Sequence, residues 1–196
     1  MVKRTTEEKQ NPTEDDIRTR VKELSVPMLQ SEYLENLLKR IAIQPSIKVF
    51  VSKNLADLYI RRGLWGSAAK TLENAADAAT VFNEKKSLYM SVGSLYIKAM
   101  DYLLADDAFR KAVDAASIGE KARLAGDIRG IFLREAEALD KNGKIAKAVK
   151  LYERILRTAT ANDEKKKVMT SLMNLYEKLA RINDFMAMRE SLKNLK

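Results

Sequence analysis

Apolar residues recur along the chain with helical spacing and fall into pairs of segments joined by short turns. In the first clear pair, Leu55 and Tyr59 share one face of a helix, and Ala68 and Leu72 share one face of the next. Gly63 lies between the two segments, where a glycine commonly ends a helix. Because Ala68 is small, the two backbones can approach closely. The pattern predicts an antiparallel helical hairpin.

The same order of large and small residues occurs four times, with copies that begin at Leu55, Val92, Glu135 and Leu172. The third copy has the longest first helix, which predicts an extra turn or two before Asn142 and Gly143. The regularly spaced aromatic residues are interpreted as core rather than as base-stacking groups; they are Trp65, Tyr59, Tyr96, Tyr152 and Tyr176. The predicted repeats cover residues 46–82, 83–118, 119–161 and 162–196.

This order resembles that of the tetratricopeptide repeat (TPR) family: a large residue, Leu, a small residue and Tyr, then Ala, an aromatic residue and Ala. The copies are longer than the usual repeat of about 34 residues, and their Ala-rich second helices are also similar to those of the soluble NSF attachment proteins. The resemblance implies an all-α fold, a right-handed α-solenoid of about four hairpins. Leu139 replaces the repeat tyrosine in the third copy, and Phe185 occupies a small position in the fourth.

The residues before the first repeat do not match its pattern. Residues 1–12 are polar and are expected to be a disordered tail. Residues 13–45 predict two helices, the first with Thr13 as its N-cap. Ser31 and Ser46 are the expected N-caps of the next two helices. We expect the first two helices to form an N-terminal cap on a repeat domain that spans residues 46–196.

The composition excludes several classes of function. The chain has no cysteine and no histidine, and therefore lacks the usual thiol nucleophile, general base and zinc ligands. We expect no enzyme activity, no metal and no cofactor. The polar N-terminus and the lack of an apolar run of about 20 residues predict a cytoplasmic protein with no membrane span.

In TPR proteins the first helices of the hairpins line a concave groove that holds a peptide or a partner helix. Mapped by the motif, the favoured contacts here are cationic or apolar, namely Lys53, Ile60, Arg61, Met90, Ile97 and Arg134. The chain does not keep the family's carboxylate clamp, because Asp57, Ser91 and Gly130 replace its Asn and Lys residues. Solvated surface charge is the alternative interpretation of Lys53 and Arg134. The first functional hypothesis is a protein-binding scaffold whose partner is a peptide or a helix, with an acidic partner as one form of it.

The formal charge of +9 is concentrated in the C-terminal part of the chain. Four cations share one arc of the second helix of the third repeat, and three more follow; they are Lys147, Lys150, Arg154, Arg157, Lys165, Lys166 and Lys167. This ridge predicts a polyanion-binding surface, and an RNA- or ribosome-associated protein is the second functional hypothesis. An ordinary solvated helix face is the alternative.

Two glycines, Gly126 and Gly130, fall inside the long third-repeat helix, where each costs up to about 1 kcal/mol relative to alanine. We expect this cost to be offset by tight packing on the second repeat, by a helix start after Gly126, or by close approach of a partner backbone.

Overall fold

The computed structural model describes residues 12–40 and 43–195, and it contains only helices, turns and bends within them. The predicted disorder of the N-terminal tail falls almost entirely outside these residues. The ten helices are α1 (Glu14–Glu23), α2 (Pro27–Leu38), α3 (Pro45–Arg61), α4 (Trp65–Ala78), α5 (Phe82–Lys98), α6 (Tyr102–Asp114), α7 (Ile118–Lys141), α8 (Ile145–Thr158), α9 (Asn162–Lys178) and α10 (Ile182–Lys193). The all-α prediction is confirmed.

The helices group into two compact units that divide between Ser117 and Ile118. In the first unit, α3 pairs with α4 and α5 with α6, while α4 also packs against α5. In the second unit, α7 pairs with α8 and α9 with α10, while α8 packs against α9. Each unit is therefore built from helical hairpins, and the second helix of one hairpin packs on the first helix of the next.

The first helix of every hairpin ends in the same way, with two backbone hydrogen bonds that close a Schellman motif. In α3, the amide of Leu64 donates to the carbonyl of Tyr59 at 2.9 Å, and that of Gly63 donates to Ile60 at 3.0 Å. The motif needs a residue with positive φ. After α3, α5, α7 and α9 this residue is, in that order, Gly63, Met100, Gly143 and Ala180. The two glycines were predicted stops; Met100 and Ala180 were not recognised as such from the sequence.

Small residues at the hairpin interfaces allow the close helix packing that the sequence predicted. Ala68, Ala105 and Ala148 occupy equivalent positions on α4, α6 and α8, and each is 0% exposed. Gly93 on α5 is packed directly against Phe109 on α6: a Cβ atom built on Gly93 would lie 2.5 Å from the ring. Any larger residue at position 93 would displace that ring.

The two N-terminal helices pack on α3, and Ile17, Leu34 and Leu37 join Val51 and Leu55 in one apolar cluster. Thr13 caps α1 as predicted, through a reciprocal capping box with Asp16. The two predicted serine caps are wrong.

Both of those helices start earlier than predicted, because Pro27 and Pro45 themselves occupy the first turns. Proline suits this position since its fixed φ is helical and the missing N–H would have had no partner within the helix. Ser31 is consequently buried inside α2, where its hydroxyl donates to the carbonyl of Pro27 at 3.0 Å.

Candidate protein-binding groove and basic helix face

A groove of about 530 Å³ lies between α3 and α5 in the first unit. Helix α4 packs against both of these helices and contributes Leu72 to the groove, which is lined further by Lys53, Asp57, Glu84, Ser87, Leu88 and Ser91. The two leucines are almost fully buried, whereas Asp57, Ser87 and Ser91 are exposed. The groove thus combines apolar and polar lining residues within one concave surface.

The side chains that line the groove have a net negative charge, because Asp57 and Glu84 outnumber Lys53. The ammonium of Lys53 donates to Glu84 Oε1 at 2.7 Å, so these two side chains neutralise each other between α3 and α5. Asp57 lies one turn after Lys53 and forms no ion pair with any described residue. An ion pair with Glu84 also leaves Lys53 poorly placed to clamp a ligand carboxylate, in agreement with the missing clamp residues.

The six predicted contact residues are not all in this groove. Lys53 lines it, but Ile60, Arg61 and Met90 do not. Ile97 was expected to be exposed, and this expectation is wrong: it is 2% exposed and belongs to the core face of α5. Its position near the end of α5 turns it inward because α5 is packed by α4 on one side and α6 on another. Arg134 belongs to α7 in the second unit.

Glu84 is a groove residue that sequence reasoning missed. It is not among the six predicted contacts, yet it precedes Ser87 and Ser91 by three and seven positions. Residues with that spacing lie on one helical face, so the signal was present in the sequence. Because α5 already begins at Phe82, Glu84 is helical and shares the face of the two serines.

The four cations of the ridge predicted on α8 differ in their exposure. Lys147, Lys150 and Arg157 are exposed and form no ion pair with another described residue. Arg154 was expected to face solvent, but it is half-buried, and its guanidinium carbon lies 5.6 Å from the centre of the Phe132 ring on α7. The long side chain lies over the ring because α7 and α8 form a hairpin.

The lysines on α9 differ from these cations in their pairing and exposure. Lys167 Nζ lies 3.7 Å from Glu137 Oε1 on α7, and Lys165 is half-buried. Consecutive residues of a helix point about 100° apart, so Lys166 faces a different direction from Lys167. We define the basic face of α8 as Lys147, Lys150 and Arg157, with Arg154 at its edge.

The acidic residue of α8 is turned away from this face. Glu153 Oε1 accepts a hydrogen bond of 2.8 Å from the Tyr176 hydroxyl on α9 and lies 3.7 Å from Arg181 Nη1. Desolvation by burial, followed by this hydrogen bond, raises the pKa of Tyr176 to about 12. Glu153 therefore links two hairpins and is not positioned among the exposed cations.

The two helix glycines do not have the close packing expected of them. Helix α7 includes both, and apart from the neighbouring backbone of the helix itself no described atom lies within 4 Å of a Cβ built on Gly126. At Gly130 only the guanidinium of Arg134 is near, at an ordinary 3.5 Å. Within the second unit neither glycine is tightly packed, and the expected helix start after Gly126 is wrong because α7 begins at Ile118.

Repeated hairpins with Schellman ends and buried small residues place each unit in the all-α, TPR-like α-solenoid class. The right-handed sense of the solenoid stays a prediction. In the part of the chain that the structure describes, no helix is both long enough and apolar enough to span a membrane.

No family model matches the chain, and no curated protein matches it. Among similar solved structures is a TPR repeats protein from Bacteroides fragilis, with 14% identity, coverage of 93% of this chain and 85% of that chain, and a TM-score of 0.46. BtubC from P. vanneervenii has 13% identity, coverage of 92% and 76%, and a TM-score of 0.41. A MamA structure has 16% identity, coverage of 95% of each chain, and a TM-score of 0.41.

Proposed function

We propose that the protein is a non-enzymatic interaction scaffold that binds a protein segment, a peptide or a helix, in the groove between α3 and α5. The observation that carries the proposal is the groove itself, whose volume of about 530 Å³ lies in the range of about 300–1,000 Å³ that small-molecule pockets have and can therefore hold side chains of a bound segment. Leu72 and Leu88 offer apolar contact, while polar side chains nearby can fix the orientation of a ligand.

The charges favour a basic rather than an acidic segment. Lys53 is already paired with Glu84 at 2.7 Å, whereas the exposed carboxylate of Asp57 can accept hydrogen bonds from a ligand lysine or arginine. The hydroxyl of Ser91 donates to the carbonyl of Ser87 at 3.1 Å, which leaves its oxygen free to accept from a ligand N–H. A segment with one basic side chain and an apolar neighbour fits these groups.

Selection of a random peptide library on the full chain tests this proposal. Peptides enriched on the unmodified protein should contain lysine or arginine and should lose binding to the Ser91→Trp variant, in which an indole fills the groove. Ser67→Trp is the matched control, since Ser67 is an exposed serine on α4 outside the groove. Asp57→Lys should shift the enriched peptides towards acidic sequences.

Equal binding of the enriched peptides to Ser91→Trp and to Ser67→Trp would show that the groove is not the binding site. Circular dichroism of each variant separates loss of binding from loss of fold.

A further inference from the structure

We propose that the basic face of α8 is a second binding surface, and that it binds the phosphate backbone of a nucleic acid without reading its sequence. This inference is independent of the groove in the first unit. It rests on three observations: the cations are exposed, Glu153 of α8 is turned away from them, and the basic face has no exposed apolar or aromatic anchor.

The cations of α8 are not required by the repeat. The second helices of the hairpins can be aligned on their buried alanines, Ala68, Ala105 and Ala148. In this alignment the positions of the α8 cations have mixed or acidic residues on α4 and α6. Helix α8 has four cations there, namely Lys147, Lys150, Arg154 and Arg157. Helix α4 has one cation and one anion at the same positions, which are Ser67, Lys70, Asn74 and Asp77. Helix α6 has one cation and two anions, at Leu104, Asp107, Lys111 and Asp114. Like charges on one helix face repel one another, so the arrangement costs stability that an anionic ligand would offset.

The structure does not relieve this repulsion within the second unit. Lys147, Lys150 and Arg157 have no ion pair among the described residues, whereas Glu153 is engaged by Tyr176 at 2.8 Å and lies beside Arg181. On α6, by contrast, Lys111 is paired with Glu73 at 2.8 Å and with Asp107 at 3.1 Å. Lys147, Lys150 and Arg157 are thus available to a ligand, whereas Lys111 on α6 is not.

The surroundings favour a nucleic acid over an acidic protein. Protein interfaces depend on a few buried aromatic or apolar anchors, but every exposed large apolar residue in the second unit lies outside α8, at Ile118, Ile182 and Met186. Interfaces with nucleic acids are more polar and strongly positive. The face also presents no exposed aromatic ring for stacking on bases, so contact with phosphates alone predicts little sequence preference.

Fluorescence anisotropy of the full chain with labelled RNA and DNA oligonucleotides of two unrelated sequences tests the proposal. The logarithm of affinity should fall against the logarithm of salt with a slope of about 2 to 3, as expected for three phosphate contacts. Both sequences should bind alike. Sodium polyglutamate of the same charge should bind at least about tenfold more weakly than a duplex, because an extended chain carries about one charge per 3.4 Å against about one per 1.7 Å of duplex and so releases fewer counterions.

Lys147→Glu/Lys150→Glu should reduce affinity by about tenfold or more at low salt. The matched control is Arg62→Glu/Lys70→Glu in the first unit, which makes the same change in net charge at two exposed residues and should leave most of the affinity intact. Equal losses for the two double variants would assign binding to net charge alone and overturn the proposal. Equal affinity for polyglutamate, or a strong preference for one sequence, would overturn it as well.

Discussion

The hydroxyl of Tyr176 on α9 donates a hydrogen bond of 2.8 Å to Glu153 on α8. The same relationship occurs between Tyr96 and Glu73 at 3.2 Å, where α5 packs on α4. It occurs a third time between Tyr59 on α3 and Glu35 on α2, at 2.6 Å. Helix α2 therefore has the same contact with α3 that the second helix of a hairpin has with the following hairpin, although its sequence does not match the repeat.

Removal of one of these hydroxyl groups should lower stability. Tyr176→Phe keeps the buried ring but removes the hydrogen bond to a partly exposed carboxylate, and we expect a loss of about 1 kcal/mol in the free energy of unfolding. Urea unfolding measures it. Tyr33→Phe is the control, since Tyr33 is half-buried and makes no hydrogen bond to a described residue, and it should change stability by less than about 0.5 kcal/mol. Equal effects would show that the hydrogen bond between hairpins contributes nothing.

Stability should fall in strongly alkaline solution. Burial is the largest cause that raises the pKa of Tyr59, Tyr89, Tyr96 and Tyr176 to about 12, compared with about 10 in an unfolded chain. Below pH 10 both states keep these protons, so the contribution to stability is complete. Between about pH 10 and 12 the unfolded state loses protons first, so the free energy of unfolding falls as pH rises.

Ultraviolet titration of tyrosinate checks this prediction, because these four groups should ionise late or together with unfolding. Tyr176→Phe should remove part of the late absorbance change. Complete ionisation near pH 10 in the folded protein would contradict it.

Two glycine-to-alanine substitutions should have opposite effects. Gly93→Ala places a methyl group against the buried Phe109 ring, and the resulting overpacking should cost about 1 to 3 kcal/mol. Gly126→Ala meets open space inside α7 and should stabilise the protein by up to about 1 kcal/mol through higher helix propensity. Thermal melts give both values. A destabilising Gly126→Ala would indicate a close neighbour of α7 that the described residues do not supply.

The residues at the hairpin ends predict a second pair of opposite effects. Ala180 has a φ of 53°, in the left-handed region that glycine adopts without steric cost, so Ala180→Gly should stabilise the Schellman motif by up to about 1 kcal/mol. Gly143 has a φ of 70° at the equivalent position, and Gly143→Ala should destabilise by a similar amount. Denaturant unfolding of both variants tests whether the two sites are equivalent; the same sign for both would contradict this.

The sequence by itself determined the helical hairpins and much of their core. Helical spacing identified Leu55, Leu72 and Leu172 as buried residues, and glycine at positions 63 and 143 located two of the four hairpin turns. These features are local: side-chain spacing and backbone conformation act within a few residues along the chain, so they can be read without the fold.

Only the tertiary structure decided which polar groups meet between hairpins. Glu153 is 23 residues from Tyr176, and Lys53 is 31 residues from Glu84; neither spacing is a helical period, and both pairs depend on how the helices pack. The same packing buried Ile97 and placed Arg154 over Phe132. Met100 and Ala180 adopt a left-handed conformation for a related reason, because the return of the chain into the next helix imposes on them a turn for which their own residue types carry no signal.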